Sequence, residues 1–250
     1  MKISILIPTY GCPPELLERC LLSVVNQTHQ DFEIILKEGC VDNPVGNNPR
    51  IAALIESLGS KIKYTVSPDG QLKEQNSFYK HNGFYQALNE CVLASTGDLI
   101  TLLASDDERG PSDTLAYVNE RFEQHGPAPF FLYGQCEWVD ADNNPLEIKE
   151  PAVIPMTREA LIDAYTLYTP ALFWNRMVHR QFGLFDELNC PWCADLDFWL
   201  RCWNAIDTEY APRILGRYRI WGVSQCRESG DLQKPEADMI RARHGKKHES

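Results

Sequence analysis

The first 103 residues alternate between short apolar runs and stretches whose apolar residues recur every three or four positions. The apolar runs are typical of buried strands and span residues 3–7, 32–36, 62–66 and 99–103. The stretches between them predict helices that include residues 17–25, 51–58 and 84–92. Such alternation is typical of a mostly parallel sheet with helices on its faces, so the sequence predicts an α/β fold.

The second half of the chain has a less regular pattern. It predicts a helix over residues 115–122, a strand over 130–139 and a helix over 195–203. A turn-rich segment at 140–145 predicts a hairpin, and residues 210–221 predict a final strand. The polar remainder predicts a tail helix followed by disorder. We therefore expect a smaller region of mixed structure beside the parallel sheet.

Charge and composition argue against several classes of protein. The net charge of −11 argues against non-specific binding to nucleic acid or anionic lipid, because an acidic surface repels both. No segment approaches the roughly 18 apolar residues that would span a bilayer, and the apolar start is too short for a signal peptide. Nine cysteines at irregular positions are typical of a reducing compartment. We therefore expect a cytoplasmic protein without a transmembrane segment.

An acidic pair, Asp106-Asp107, follows the strand predicted at residues 99–103. Two adjacent carboxylates repel each other, and a divalent cation that binds carboxylate and diphosphate oxygens together would relieve that repulsion. Taken alone, the pair fits a solvated loop or a helix N-cap before Pro111 better, because acidic turns are common. Tyr10 and Glu38 also lie just past predicted strand ends, so we expect them to converge with the pair on one edge of the sheet.

Four segments give the acidic pair its context, and they occur in the order ISILIPTYG, SVVNQTHQDFEIILKEGCVDN, NGFYQALNECVLASTGDLITLLASDD and GLFDELNCPWCADLDFWLRC. Each resembles the corresponding block of the family 2 glycosyltransferases, which have the GT-A fold. The resemblance covers nearly the whole chain to about Trp221 and is weakest over residues 123–169. It implies a GT-A-like fold and an inverting enzyme that moves a sugar from a nucleotide diphosphate-sugar to an acceptor hydroxyl.

The resemblance places the nucleotide beside the ends of the first two strands. Pro8, Thr9 and Tyr10 match residues that contact the nucleotide base and ribose in the family. Glu38 stands where the family usually has Asp, a carboxylate that accepts a hydrogen bond from the uracil ring. The segment KEGC at positions 37–40 departs from the family's common Asp-Asp-Gly-Ser, but Glu38 keeps the acceptor on a longer side chain. The resemblance therefore implies a UDP-sugar donor.

The resemblance also implies a divalent metal, Mn²⁺ or Mg²⁺. Asp107 matches the direct metal ligand, and Asp106 matches the residue near the ribose and the metal. Ala104 stands where the family often has an acidic residue, and Trp221 stands where many relatives have a metal-binding His. An indole is only a hydrogen-bond donor, so Trp221 cannot replace that ligand. The alternatives are water, another side chain or a lower affinity for the metal.

Asp195, in the segment CADLDFWLR, matches the family's catalytic base. An inverting transferase needs one carboxylate to take the proton of the acceptor hydroxyl as that hydroxyl attacks the anomeric carbon. The alternative for Asp195 is a simple helix-start carboxylate, since negative charge is favourable in the first turn of a helix. Asp197 is explained differently, because Arg201 lies four residues further on and an ion pair within the helix accounts for it.

Cys190 and Cys193 have the spacing of thiol-disulfide motifs, so a thiol oxidoreductase is an alternative function. The pair lies in a predicted loop beside Asp195, and no second cysteine pair completes a zinc site. We therefore favour two small apolar residues that line the acceptor groove.

Tryptophans cluster in the second half of the chain. Trp174 and Trp192 lie in loop-like segments, and either can pack against a sugar ring or in the core. Trp199 and Trp203 are one helical turn apart and are predicted to lie in the core. His81 lies near a motif, where a loop or capping role agrees with the sequence as well as metal ligation does.

We predict one continuous GT-A domain with a nucleotide-sugar-binding half at residues 1–110, an acceptor-binding and catalytic half at 111–222 and a tail at 223–250. The resemblance implies a glycan or glycolipid acceptor at the cytoplasmic face of a membrane, in polysaccharide biosynthesis, with at most peripheral membrane association. A nucleotide-sugar binder without turnover is an alternative. The departures at Lys37, Ala104 and Trp221 favour that alternative, and the retained carboxylates oppose it.

Overall fold

The structure, a computed structural model, describes residues 1–39, 43–67, 83–164, 166–221 and 230–245. Cys40, His81 and the predicted disordered end of the chain beyond residue 245 lie outside these residues. Among the helices in the described ranges, none has both the length and the apolar composition needed to cross a membrane.

The described residues alternate between strands and helices along most of their length. The strands are β1 (Ile3–Thr9), β2 (Phe32–Glu38), β3 (Ile62–Val66), β4 (Leu99–Leu102), β5 (Glu108–Arg109), β6 (Phe130–Val139), β7 (Pro145–Lys149), β8 (Leu172–Asn175) and β9 (Asp207–Arg219). The helices are α1 (Pro14–Val25), α2 (Pro49–Leu58), α3 (Gly83–Ala94), α4 (Thr114–His125), α5 (Arg158–Asp163), α6 (Arg176–Phe182), α7 (Ala194–Cys202) and α8 (Gly230–Gly245).

All these strands belong to one sheet, which has the order β3-β2-β1-β4-β8-β6-β9-β5, with β7 paired to β6. The first four strands in this order are parallel to one another. β8 is antiparallel to both of its neighbours, β4 and β6, and β6 is parallel to β9. β5 pairs antiparallel with β9, and β7 pairs antiparallel with β6. The predicted α/β fold with a mostly parallel first half and a mixed second half is therefore confirmed.

Most of the predicted elements are present. The four strands predicted in the first half are β1 to β4, and the predicted hairpin joins β6 to β7. The sequence did not reveal β5, β8 or the short helices α5 and α6. These four elements have two to seven residues, which is too short for a hydrophobic period to be recognised.

Helices cover both faces of the sheet, which explains the uninterrupted apolar run of β1. Ile3, Ile5 and Ile7 pack in one cluster with α1, α2 and α4, while Leu6 packs in the other with α3, α6 and α7. Every residue of β1 is buried as a result. A strand that is apolar on both faces is typical of the interior of a parallel sheet.

A buried carboxylate, Glu33, connects the amino ends of the central strands. Its side chain is 2% exposed and accepts hydrogen bonds from Lys2 Nζ at 2.9 Å, Ser4 Oγ at 2.8 Å and the backbone N–H of Gly97 at 3.2 Å. Burial alone would raise the pKa of Glu33, but the hydrogen bonds, above all that from the backbone of Thr96, outweigh burial and lower the pKa to about 2.

We expect Glu33 to stabilise the fold above about pH 4.5 and to lose this effect as the pH falls to about 2, because protonation removes the charge that its donors bind. The ionised Glu33 should contribute on the order of 3 kcal/mol to the free energy of unfolding. Urea unfolding of the wild type and of Glu33→Gln measures it. The difference in unfolding free energy between wild type and Glu33→Gln should decrease by about 3 kcal/mol as the pH falls from about 4.5 to about 2. A difference that does not change with pH would contradict the prediction.

Candidate active site

The acidic pair lies in the turn between β4 and β5, and its two carboxylates have different surroundings. Asp106 is partly exposed, and its Oδ2 atom accepts a hydrogen bond from the indole Nε1 of Trp221 at 2.8 Å. Asp107 is only 2% exposed, and its Oδ1 atom accepts one from the backbone N–H of Arg219 at 2.9 Å. The C-terminal end of β9 and the residues just after it therefore contact both carboxylates.

One buried oxygen of Asp107 is left unsatisfied. Its Oδ2 atom has no hydrogen-bond partner within the part of the chain that the structure describes. Burial raises the pKa of Asp107 well above its ordinary value, and the charge of Asp106 raises it further, whereas Arg219 and Arg109 act in the opposite direction. A buried carboxylate oxygen in this state requires a proton or a cation. The pair therefore fits a divalent cation.

The described ranges supply few metal ligands beyond this pair. No group of three or more His, Cys, Asp or Glu side chains in them is arranged to hold a metal ion. Mg²⁺ commonly binds one or two carboxylates together with substrate phosphates and water. Trp221 donates its indole N–H to Asp106 and adds no ligand. The residues present fit a cation that a diphosphate helps to bind.

Arg219, for which no sequence pattern indicated a role, connects the acidic turn to the β6–β7 hairpin. Its side chain is 1% exposed. The guanidinium donates to the backbone carbonyls of Asp106 at 3.0 Å, Asp140 at 2.9 Å and Ala141 at 3.3 Å, and to the side chains of Asn143 at 3.0 Å and Glu108. These partners lie 76 to 113 positions away along the chain. No local pattern could therefore have identified Arg219.

Cys12 shows that the strand ends converge as expected. It follows β1, and its Sγ atom donates to the backbone carbonyl of Ser105 in the acidic turn at 3.5 Å. Burial raises the pKa of Cys12 to about 12, with smaller contributions in the same direction from the charges of Asp106 and Glu38. Cys12 is therefore close enough to Asp106 and Glu38 to be affected by their charges. The ends of β1, β2 and β4 meet at one edge of the sheet.

Three residues at the end of β1 were predicted to contact the nucleotide, and only Tyr10 presents an exposed side chain. Tyr10 is 51% exposed, whereas Pro8 and Thr9 are buried in the sheet. The carbonyl of Thr9 accepts a hydrogen bond from the backbone N–H of Gly39 at 2.9 Å. Contacts from Pro8 and Thr9 to a nucleotide stay predictions, and the surface offered here is the ring of Tyr10.

Glu38, the predicted acceptor for the uracil ring, lies at the end of β2 and is fully buried. Its Oε2 atom accepts a hydrogen bond from the backbone N–H of Val45 at 3.1 Å. Its backbone carbonyl accepts another from Ser67 at 2.8 Å. The contact with Val45 holds the segment that precedes α2 against the sheet, and the contact with Ser67 continues the pairing of β2 with β3. Recognition of the base by Glu38 stays a prediction.

A cleft of about 390 Å³ opens beside these strand ends. It is lined by residues 11–14, which follow β1, and by residues 43–45 and 47–49, which precede or begin α2. The volume is within the range of small-ligand pockets. The polar side chains in its wall are the amides of Asn43, Asn47 and Asn48 and the thiol of Cys12, whose raised pKa keeps it neutral. Uncharged donors and acceptors suit a heterocyclic ring better than a phosphate.

Asp195, the predicted base, lies in the first turn of α7 and is partly exposed. Its Oδ1 atom accepts a hydrogen bond from the hydroxyl of Tyr85 in α3 at 2.7 Å. This bond orients the carboxylate and ties α7 to a helix that packs on β1 and β2. Tyr85 lies in the segment NGFYQALNE, where no sequence pattern indicated a role for it.

Asp197 forms the predicted pair with Arg201, with 2.8 Å between Oδ2 and Nε. The structure adds that the Asp197 side chain is only 3% exposed and that its Oδ1 atom lies 2.9 Å from His244 Nε2 and 3.5 Å from Arg243 Nη1. The pair is therefore not an isolated contact on an exposed helix face. Asp197 also joins α7 to α8.

The prediction that Trp174 lies in a loop is wrong. Trp174 is in β8 and only 1% exposed, so its ring packs in the core and cannot stack on a sugar. Trp199 and Trp203 are buried as predicted, at 2% and 5% exposure. Trp192 is partly exposed just before α7, and its stacking role stays a prediction.

The environment of Cys190 and Cys193 opposes redox chemistry. Burial raises the pKa of Cys190 to about 11 and that of Cys193 to about 12. Both side chains are therefore thiols at neutral pH, whereas redox cysteines act as thiolates. The Sγ atom of Cys193 donates instead to the carbonyl of Gln233 at 3.5 Å, as a packing contact between the turn and α8.

Comparison with known proteins gives one family. Residues 4–171 match the family model Glycosyl transferase family 2. The chain is similar to the PGL/p-HBAD biosynthesis glycosyltransferase of Mycobacterium bovis, with 27% identity over 221 residues that cover 88% of this chain and 77% of the relative. It is also similar to the GalNAc(5)-diNAcBac-PP-undecaprenol beta-1,3-glucosyltransferase of Campylobacter jejuni, with 29% identity over 107 residues, 43% of this chain and 30% of the relative.

Solved structures share the fold. S. aureus TarS 1-349 in complex with UDP-GlcNAc superimposes with a TM-score of 0.65 at 17% identity, over 98% of this chain and 71% of that chain. The complex of the same protein with UDP has a TM-score of 0.66 at 17% identity, over 98% of this chain and 65% of that chain. The chain spans 37% of a longer TarS chain.

Proposed function

The chain belongs to glycosyl transferase family 2, and we propose that it is an inverting transferase that moves a sugar from a UDP-sugar to a hydroxyl of a glycan or glycolipid. Residues 1–110 would bind the nucleotide-sugar, and residues 111–222 the acceptor. The observation that carries the proposal is the acidic pair, in which a buried, unsatisfied oxygen of Asp107 lies next to the partly exposed carboxylate of Asp106. Such a pair suits a divalent cation that also binds a diphosphate.

Asp195 acts in this proposal as the general base. It takes the proton of the acceptor hydroxyl while the hydroxyl oxygen bonds to the anomeric carbon and the bond from that carbon to the diphosphate breaks. Attack from the face opposite the diphosphate inverts the anomeric configuration. Tyr85 orients the base through its hydrogen bond to Oδ1. A cation held by Asp106 and Asp107 would stabilise the negative charge that develops on the departing diphosphate.

The choice of donor and acceptor is supported by relatives and by the site. The structural neighbour TarS binds UDP and UDP-GlcNAc, and the cleft lined by Cys12, Asn43 and Asn47 has a volume and uncharged polar groups that suit a nucleobase. One relative carries an undecaprenol-linked sugar in its name. We therefore infer a lipid-linked or polymeric glycan acceptor.

A second candidate function is nucleotide-sugar binding without turnover. The observation that favours it is the hydrogen bond from Trp221 to Asp106, which occupies part of a predicted metal ligand. Lys37 does not add support, because its ammonium pairs with Glu90 of α3 at 2.5 Å and lies only 10% exposed. Hydrolysis of a panel of nucleotide sugars, measured with and without Mn²⁺, separates the two functions. A transferase should hydrolyse one of them slowly in the presence of the metal, whereas a binder should hydrolyse none.

We expect the chain to bind UDP about tenfold more tightly than CDP, because an acceptor nitrogen placed against a carboxylate loses a hydrogen bond worth on the order of 1 to 3 kcal/mol. The ring nitrogen of uracil that would donate to Glu38 is itself an acceptor in cytosine. Competition calorimetry with UDP, CDP and GDP measures the preference. Tighter binding of CDP or GDP would show that Glu38 does not read the base.

A further inference from the structure

Helix α8 lies outside every motif that identified the site, yet it holds the turn before α7. The Oε1 atom of Glu236 accepts hydrogen bonds from the backbone N–H groups of Trp192 at 2.9 Å and Cys193 at 2.7 Å. Cys193 is the N-cap residue of α7, and its side chain makes no capping hydrogen bond. Backbone donors at a helix start require an acceptor. Glu236 supplies one from a different helix.

A second set of contacts joins the two helices beyond the base. His244 Nε2 and Arg243 Nη1, in the last turn of α8, lie 2.9 Å and 3.5 Å from Oδ1 of Asp197. Asp195 therefore lies between two anchored positions, two residues after Cys193 and two residues before Asp197. α8 holds the start of α7 on both sides of the proposed base.

The packing of α8 does not depend on Glu236. Ile240 is fully buried in the same core cluster as Leu196 and Trp199. Arg158 of α5 donates from Nη2 to the carbonyl of His244 at 3.0 Å. Loss of the Glu236 carboxylate should therefore leave the helix in place and remove only its hold on the turn.

Electrostatics alone would not place Glu236 here. Burial raises its pKa, and the nearby charge of Asp195 raises it further, while the hydrogen bonds from Trp192 and Cys193 lower it. A second carboxylate beside a base is unfavourable by itself. The two backbone hydrogen bonds are the compensating interaction, and they act on the turn that sets the direction of α7.

We propose that Glu236 is a positioning residue, which fixes the start of α7 and so places Asp195 for proton transfer. The proposal rests on the proposed function, in which Asp195 is the base. Its expected signature is a loss of turnover with intact binding of the nucleotide, because Glu236 contacts neither the acidic pair nor the ends of β1 and β2 in the part of the chain described.

The test compares Glu236→Ala with Asp238→Ala, both made in the 250-residue chain. Asp238 is a control on the same helix, because its carboxylate is 60% exposed and pairs only with Arg241 in the described structure. In Glu236→Ala we expect hydrogen exchange at the amides of Trp192 and Cys193 to quicken about tenfold. The turnover number for donor hydrolysis or transfer should fall about 10- to 100-fold, the effect of a small misplacement of a reacting group. UDP affinity, measured by calorimetry, should change less than about twofold by the same argument. Glu236→Gln, which keeps one acceptor oxygen, should recover part of the rate.

The outcomes separate this inference from the proposed function. Unchanged exchange at Trp192 and Cys193 in Glu236→Ala would overturn the inference whether or not the chain transfers sugar. Faster exchange with an unchanged turnover number would show that the turn is held but that this does not position the base. A wild-type chain that binds UDP but turns over no donor would contradict the proposed function and, with it, the positioning of a base by Glu236. In that case, hydrogen exchange at Trp192 and Cys193 would still show whether Glu236 holds the turn.

Discussion

Replacement of Asp195 by Asn should lower the rate of sugar transfer by about 10²- to 10⁴-fold, the range that general base catalysis contributes. Asn keeps the size and polarity of the side chain and can still accept the hydrogen bond from Tyr85, but it cannot take a proton at neutral pH. UDP affinity should change little, because the base acts on the acceptor and not on the diphosphate. Steady-state kinetics with an active donor and acceptor, together with calorimetry of UDP, measures both quantities.

Asp197→Asn is the matched control, since it makes the same change two residues away. Asp197 is buried and bound to Arg201 and His244, so this variant should lose about 1 to 3 kcal/mol of unfolding free energy. Its transfer rate should stay within about tenfold of the wild type, because the Asn side chain can still accept a hydrogen bond from Arg201 or His244 and so keeps α7 in place. An inactive Asp197→Asn beside a fully active Asp195→Asn would show that the roles of the two residues are reversed.

Removal of divalent metal should weaken UDP binding by about 100-fold, which corresponds to about 2.7 kcal/mol. The physical reason is that the diphosphate would otherwise approach two carboxylates with no cation between them. Asp106→Asn and Asp107→Asn should each lower the affinity for UDP in the presence of Mn²⁺ and reduce its dependence on the metal. Titration calorimetry of UDP with Mn²⁺ and then with a chelator gives the comparison directly.

Asp98→Asn controls for the general effect of removing a carboxylate from this chain. Asp98 precedes β4 at the opposite end from the acidic pair and accepts a hydrogen bond from the backbone N–H of Lys2 at 3.2 Å. The variant should bind UDP with unchanged metal dependence. Equal UDP affinity with Mn²⁺ and with chelator in the wild-type chain would rule out the acidic pair as a metal site for the nucleotide.

The local sequence pattern alone predicted many of the strands and helices of this protein. The apolar runs and helical spacings identified β1 to β4 and the helices between them, because burial on both faces of a parallel sheet leaves a continuous apolar run in each central strand. The pair of Asp197 and Arg201 was also predictable, because residues four apart on a helix are neighbours wherever the helix lies. Convergence of Glu38 and Asp106 at one edge followed from the rule that parallel strands end on the same side.

Only the tertiary structure decided which polar groups meet. Asp107 is buried against Arg219, 112 positions away, while its neighbour Asp106 stays partly exposed and binds Trp221. Trp174 is buried because β8 inserts between β4 and β6, and Glu236 reaches the start of α7 from a helix about 40 positions further on. Spacing along the chain specifies the face of one element, whereas these contacts depend on the order of strands in the sheet and on how distant helices pack on it. That order is set by the summed burial of the whole core, and no single segment encodes it.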